Sequence, residues 1–310
     1  MYSTRHFHFL ALSRFLWLVS LSGFYGLGSG FVQAEEKKES PAELSHELDS
    51  EHSYVGGVKM KVGAISIGHI NEQASGLRYV LSRSVSDHVL LRLGAGWRRF
   101  SFGLPAAAPL PNTLQSANAV VGGDLELSDE WLMRMEIEPG IYSDFKDISS
   151  DDVNAPLTLG FSYLVNEDLQ WVFGASVDAR RNIPFLPGAG VRWNFADRWT
   201  LMLIPPRPRI EFELADTLKL YGGADILTGT YQVARDFGNN HGRPNLNNTS
   251  LDYTEIRLGA GASWKIKPGF VVEVDGGYMV YQEFDFHTAD TKIESDGGAP
   301  YGQIALRAAF

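Results

Sequence analysis

The chain has 310 residues, 44% apolar and 21% charged, with 32 glycines, no cysteine and a formal charge of −10. The missing thiol excludes a disulfide framework, cysteine-ligated zinc or iron–sulfur centres, a catalytic thiol and a lipid-modified N-terminal cysteine. The acidic balance argues against a nucleic-acid binder, which would carry a basic face.

In chain order, basic Arg5 and Arg14 precede an apolar run from Phe15 to Phe24, and Val32-Gln33-Ala34 forms a small-x-small cleavage pattern. This predicts a signal peptide over residues 1–34, removed after Ala34 on export. The alternative, an uncleaved membrane anchor, is weakened by Gly23, Gly26, Gly28 and Gly30. Residues 35–53 are polar and charged and read as a mobile N-terminal tail, with an amphipathic helix or a plug in a barrel mouth as the alternatives.

From Tyr54 to Phe310 the period is two. Trp131, Met133, Met135 and Ile137 share one face against Arg134, Glu136 and Glu138. Val89, Leu91, Leu93, Ala95 and Trp97 likewise oppose Arg92, Gly94, Gly96 and Arg98. Strands with one bulky apolar face and one charged face separate two solvents. Short joins are predicted after Val85, Leu127, Val165, Phe195, Leu214 and Trp264. Longer ones are predicted over 68–75, 99–116, 143–155, 181–186, 227–250 and 282–300, with a short proline turn at Pro205 to Pro208 on the long-loop side. The expected fold is all-β, a single antiparallel transmembrane barrel over residues 54–310, with about fourteen strands (roughly 12 to 16) and both ends on the short-turn side.

The six tryptophans after the leader all fall on the apolar face. Trp131, Trp171, Trp193, Trp199 and Trp264 lie beside short turns, and with Tyr163, Phe270 and Phe310 they are the expected aromatics of a membrane interface. Ile304, Leu306, Ala308 and Phe310 alternate with Gln303, Ala305 and Arg307, so the last strand ends on an outward aromatic. With these features the chain resembles the bacterial outer-membrane β-barrel class, and looks most like one of its uncharacterised families, some of them known only as domains of unknown function. The resemblance implies residence in the outer membrane, contact with its lipid and lipopolysaccharide, and recognition of the strand ending in Phe310 by the barrel-assembly machinery. Ala308 departs from the usual aromatic residue two positions before the end.

The inward face is expected to carry Arg78, Arg92, Arg98, Arg134, Arg180, Arg192, Arg209, Lys219, Arg257 and Arg307 against Asp124, Glu126, Glu136, Glu138, Asp178, Glu211, Glu213, Asp225, Glu255, Glu273 and Asp275, a near-balanced set. Hairpin register sets Asp124 opposite Arg134 and Glu213 opposite Lys219. Two arrangements fit: a polar water channel, favoured by inward glycines that leave volume for water, or an internal salt-bridge network filling the barrel. Loop histidines His69, His241 and His287 come with no G-x-S-x-G or H-E-x-x-H pattern, so no catalytic residue, metal site or cofactor is assigned. The acidic loops (Asp144, Asp147, Asp151 and Asp152; Glu283, Asp285, Asp290, Glu294 and Asp296) lack the spacing of a calcium loop. The expected function is a passive pore or small-solute transporter, with a non-conducting barrel that binds a ligand or envelope component through its loops as the alternative, and a lipid-acting enzyme third.

Overall fold

A computed structural model describes residues 44–106 and 108–310. The signal peptide and residues 35–43 of the expected tail lie outside the described residues. The remainder is a closed antiparallel barrel of fourteen strands. In chain order these are β1 (Leu44–Val62), β2 (Ile65–Ser86), β3 (Val89–Gly103), β4 (Thr113–Glu126) and β5 (Trp131–Ile137, continued by Gly140–Ser143). Next come β6 (Val153–Asn154 and Leu157–Leu164), β7 (Leu169–Val177), β8 (Phe185–Ala196), β9 (Trp199–Met202) and β10 (Arg209–Ala215). The last four are β11 (Leu218–Gln232), β12 (Ser250–Lys267), β13 (Phe270–Phe286) and β14 (Thr291–Ser295 and Ala299–Ala309). Among the described residues no helix is long and apolar enough to cross a membrane.

The seam joins the first strand to the last through nine consecutive residue pairs, from Glu47↔Ala309 to Val55↔Tyr301. In hydrocarbon an unpaired peptide group costs several kcal/mol, so a sheet crossing lipid must close on itself. The segment 44–53, expected as tail, is therefore wall. It is hydrogen-bonded to both β2 and β14, and its alternation (Glu47, Asp49 and Glu51 inside, Leu48 outside) obeys the same period as the other strands. The expected loop over 68–75 is also strand, the true turn being at Gly63 and Ala64. Gly63 sits at φ +57°, a left-handed position that suits glycine.

Strand length accounts for these differences. A tilted strand needs about 9–11 residues to cross the hydrocarbon, whereas β2 has 22. The surplus forms a tall rim on one side, and along it the polarity inverts. Lower on β2, Leu77, Tyr79 and Leu81 face out while Arg78 and Ser82 face in; higher up, Asn71 and Gln73 face out while Ile70 and Ala74 face in. β13 repeats the change, with Val272 and Val274 outside below, but Glu283 and Asp285 outside and Phe284 and Phe286 inside above. The rim's outer surface carries exposed ion pairs, Lys59–Asp296 at 3.0 Å, Lys61–Glu294 at 3.3 Å and Lys292–Glu283 at 3.1 Å. The expected joins over 99–116, 227–250 and 282–300 are shortened for the same reason: strands continue past the inversion, leaving loops at 104–112, 233–249 and 287–290.

The opposite side is low, β9 having only four residues and β10 seven. Pairing of β10 with β11 ends at Arg209↔Gly223. Beyond it β11 runs on to Gln232, which pairs in parallel with Ser143 at the end of β5. The outer end thus holds a second, smaller circuit, β11-β12-β13-β14-β1-β2-β3-β4-β5, which leaves out β6 to β10. Its interior is apolar: Phe100, Phe102, Tyr253, Phe284 and Phe286 pack with Leu110 of one loop and Phe237 and Leu246 of another.

The inversion predicts unequal effects of one substitution at two outward sites. Leu93→Arg, on the apolar belt, should cost about 2–4 kcal/mol, and Gln73→Arg, on the rim, about 1 kcal/mol or less, in denaturant unfolding from lipid vesicles. Equal costs would show that the belt is not the lipid-facing zone.

Candidate functional site in the barrel lumen

Below the apolar closure the lumen is polar, and its charges are bound to one another in three groups. In the first, Arg92 on β3 holds the Glu47 carboxylate through both terminal nitrogens at 2.8 and 2.9 Å, and its Nε lies 3.5 Å from Glu136. Glu136 also accepts from Arg78, which lies 3.5 Å from Glu138. Next to them Arg134 donates twice to Asp124, its direct cross-strand neighbour as the hairpin register predicted.

The second group crosses the lumen. Glu51 on β1 lies 2.7 Å from Arg98 and accepts from Arg207 at 3.1 Å, and Arg207, in the join between β9 and β10, also lies 3.2 Å from Asp225 on β11. Glu273 on β13 accepts from the Arg307 Nε at 3.0 Å and lies 3.5 Å from Arg209, which pairs with Glu211 at 2.7 Å. Glu213 stands opposite Lys219 in register, but the Lys219 ammonium lies 3.8 Å from Glu211. Asp275 accepts from the Tyr221 hydroxyl at 3.2 Å. In the third group, at the boundary with the apolar closure, fully buried Arg257 contacts Glu255 and lies 3.3 Å from Glu72, and the Tyr253 hydroxyl lies within hydrogen-bond distance of both carboxyl groups. Of the remaining sequence-predicted residues, Asp178 is buried and accepts from Asn154 at 3.0 Å, and Arg192 is half-buried on the inner face of β8.

These bonds tie strands several places apart around the wall. They also include Glu47, Asp49, Glu51, Glu72 and Arg207, none of which the sequence reading placed in the lumen. The first three carried a usable signal, acid at every second position from 47 to 51; Glu72 fell in an expected loop and Arg207 in an expected proline turn. The glycines differ from expectation too. A side chain at Gly259 would meet the Tyr301 hydroxyl at 2.2 Å and one at Gly261 the Tyr221 ring at 2.7 Å, so these positions receive tyrosine rings rather than water, whereas Gly188 has open space before it.

The expected interface aromatics point outward. Trp131 stacks on Tyr163 at 4.8 Å, Tyr163 is in register with Trp171, and Trp193, Phe195, Trp199 and Phe212 form a further row; Trp264 is exposed, and Phe270 stacks on Phe310 at 6.2 Å. The loop acids serve structure. Asp152 and Ser149 form a reciprocal cap, Lys292 faces Glu283 and Asp285, and no group of three or more metal-ligating side chains occurs among the described residues.

Asp144 clasps the smaller circuit. Its N–H donates to the Gln232 carbonyl at 3.1 Å, its carboxylate accepts from the Ala234 N–H at 3.3 Å, and its carbonyl accepts from Thr113 at 3.2 Å. Burial holds the Asp144 carboxyl above the usual carboxylate range in spite of those amides. Between the clasp and the ion pairs lies a partly open cavity of about 100 Å³, bordered on one side by Glu51, Arg78, Arg98, Ser116 and Asn118 and on the other by Ser176, Asp178, Arg181 and Tyr231.

Asp124→Asn should destabilise the barrel by about 3–5 kcal/mol, since it leaves the buried Arg134 guanidinium without its counter-charge. The apolar pair Asp124→Leu with Arg134→Met should recover most of that loss, as read from urea midpoints in micelles. A single substitution as harmless as the double would show the pair to be solvated.

The family model described as "Domain of unknown function (DUF6268)" matches residues 88–294. No curated protein matches the chain. Among solved structures it is similar to an outer membrane channel from Pseudomonas putida F1, at 9% identity over 92% of this chain and 100% of that one, with a TM-score of 0.47. It is also similar to the toluene transporter TodX of Pseudomonas putida (8% identity, 85% and 89% covered, TM-score 0.42) and to the toluene transporter TbuX of Ralstonia pickettii (10%, 86% and 89%, TM-score 0.39). These are likenesses of barrel fold. The family match extends over more than half of the residues and runs from the start of β3 into β14, and the chain belongs to the DUF6268 family.

Proposed function

We propose that this protein is a bacterial outer-membrane barrel that passes a small polar solute through a constricted lumen. The observation that carries this reading is the partly open cavity, bordered by charged, hydroxyl-bearing and aromatic side chains, between the ion-paired lumen and the apolar closure at the mouth. A barrel of fourteen strands is wider than the eight whose side chains can fill it, and here the excess width is only partly taken up by bridging arginines. Export through the leader ending at Ala34 supplies the localisation. The outward apolar belt meets lipid and lipopolysaccharide, the aromatic rows near the short turns sit at the interface, and the strand ending in Phe310 serves recognition by the assembly machinery.

The route is that of a narrow transporter rather than a general porin, because the aromatic cluster and the β5–β11 clasp cover the mouth. No catalytic role is assigned. His241 is held by the Phe237 carbonyl, His287 lies 3.6 Å from Asp252, and His69 stands exposed on the rim. The density of cross-lumen ion pairs favours a second reading, a barrel that conducts nothing and binds a ligand or envelope component through its outer loops.

Planar-bilayer recording separates the two. The intact barrel should show small, infrequent openings, and deletion of residues 236–247, which removes Phe237 and Leu246 from the closure, should raise conductance severalfold. Absence of ion current from both proteins at every salt concentration would reject the transporter and leave the binding barrel.

A further inference from the structure

We infer that the mid-lumen cavity is a binding site for a small uncharged, hydroxyl-rich solute. This deepens the transporter reading and rests on it.

The cavity's charges balance in number, and all but Arg181 and Asp178, which hydrogen-bond neutral partners, are ion-paired. Its border holds four arginines (Arg78, Arg98, Arg181 and Arg307) and four carboxylates (Asp49, Glu51, Glu138 and Asp178). Arg98 is bound to Glu51, Arg78 to Glu136 with Glu138 beside it, and Arg307 to Glu273 with Asp49 at 3.6 Å. An anion entering here would compete with carboxylates for these guanidiniums, and a cation would compete with guanidiniums for the carboxylates. Either exchange strands a buried charge, at a cost of several kcal/mol. A neutral hydroxyl does neither, since it donates to a carboxylate lone pair while accepting from a guanidinium or amide, and can join an existing ion pair as a further partner.

The uncharged border groups point the same way. Ser116, Asn118, Ser176, Thr228 and Thr230 place hydroxyls and an amide around the space, and Tyr142 and Tyr231 add aromatic rings, against which the C–H face of a sugar ring can pack.

The test uses the full barrel in vesicles and in micelles. Swelling is compared in iso-osmotic glucose, gluconate and glucosamine, which share a size and differ in charge, and glucose binding is measured by calorimetry on the micellar protein. Glucose should enter at least about fivefold faster than either charged analogue. Asn118→Leu, which keeps side-chain size and touches no ion pair, should slow glucose by about fivefold, the worth of one hydrogen bond. Ser176→Val provides a second variant should the first misfold, folding being scored by heat-modifiable gel mobility. Equal entry of all three solutes, or faster entry of a charged one, would overturn the solute class and leave the transporter standing. Calorimetric binding of glucose without swelling would keep the site and reject transport. Neither binding nor swelling with glucose would remove the site itself.

Discussion

Every peptide group that a strand carries through lipid has to be hydrogen-bonded to another strand, and in this protein that requirement is met at the seam where Glu47 to Val55 pairs with Tyr301 to Ala309. The other side of the same segment pairs with β2, so residues 44–55 stand between two neighbours and cannot act as a free tail. Their inward acids follow from this placement. Once Glu47, Asp49 and Glu51 line the lumen, Arg92, Arg98, Arg207 and Arg307 have partners, and the interior can hold guanidiniums away from bulk water.

Closure at two levels gives the barrel two interiors. The full fourteen-strand ring surrounds the ion pairs, where outward apolar side chains face lipid and inward charges face each other. The smaller ring at the outer end surrounds aromatic and aliphatic side chains, with charged residues outside. Both obey one rule, that each face takes the character of what it touches, and the change from lipid to water on the outside reverses the pattern. The low wall of β9 and β10 and the curling of β11 toward β5 belong to the same arrangement, since β11 can leave its neighbour only where that neighbour stops.

The ion pairs carry structural and functional weight together. Removing a single partner strands a buried charge, which stiffens the wall against change. What remains available in the cavity is hydrogen bonding, and that is the basis for assigning it an uncharged, hydroxyl-rich solute.

Period-two alternation, tight turns and outward tryptophans were enough to read an antiparallel barrel of about fourteen strands and most of its inward charges from the sequence, because in a wall one residue thick each side chain's direction follows from its position in the strand. The Asp124–Arg134 pair was legible for that reason, as a hairpin fixes register locally. Strand ends on the long-loop side were not, because the pattern was followed only while apolar residues faced out, and on β2, β11 and β13 the strand continues after that relation reverses. The sequence by itself determined the class of fold and the two faces of the wall. Only the tertiary structure decided that Glu51 meets Arg207 across the barrel, that Gly259 and Gly261 receive tyrosine rings, and that the mouth is closed by an apolar core. Those contacts join residues far apart in the chain, and their existence depends on ring closure and strand tilt, which no local repeat encodes.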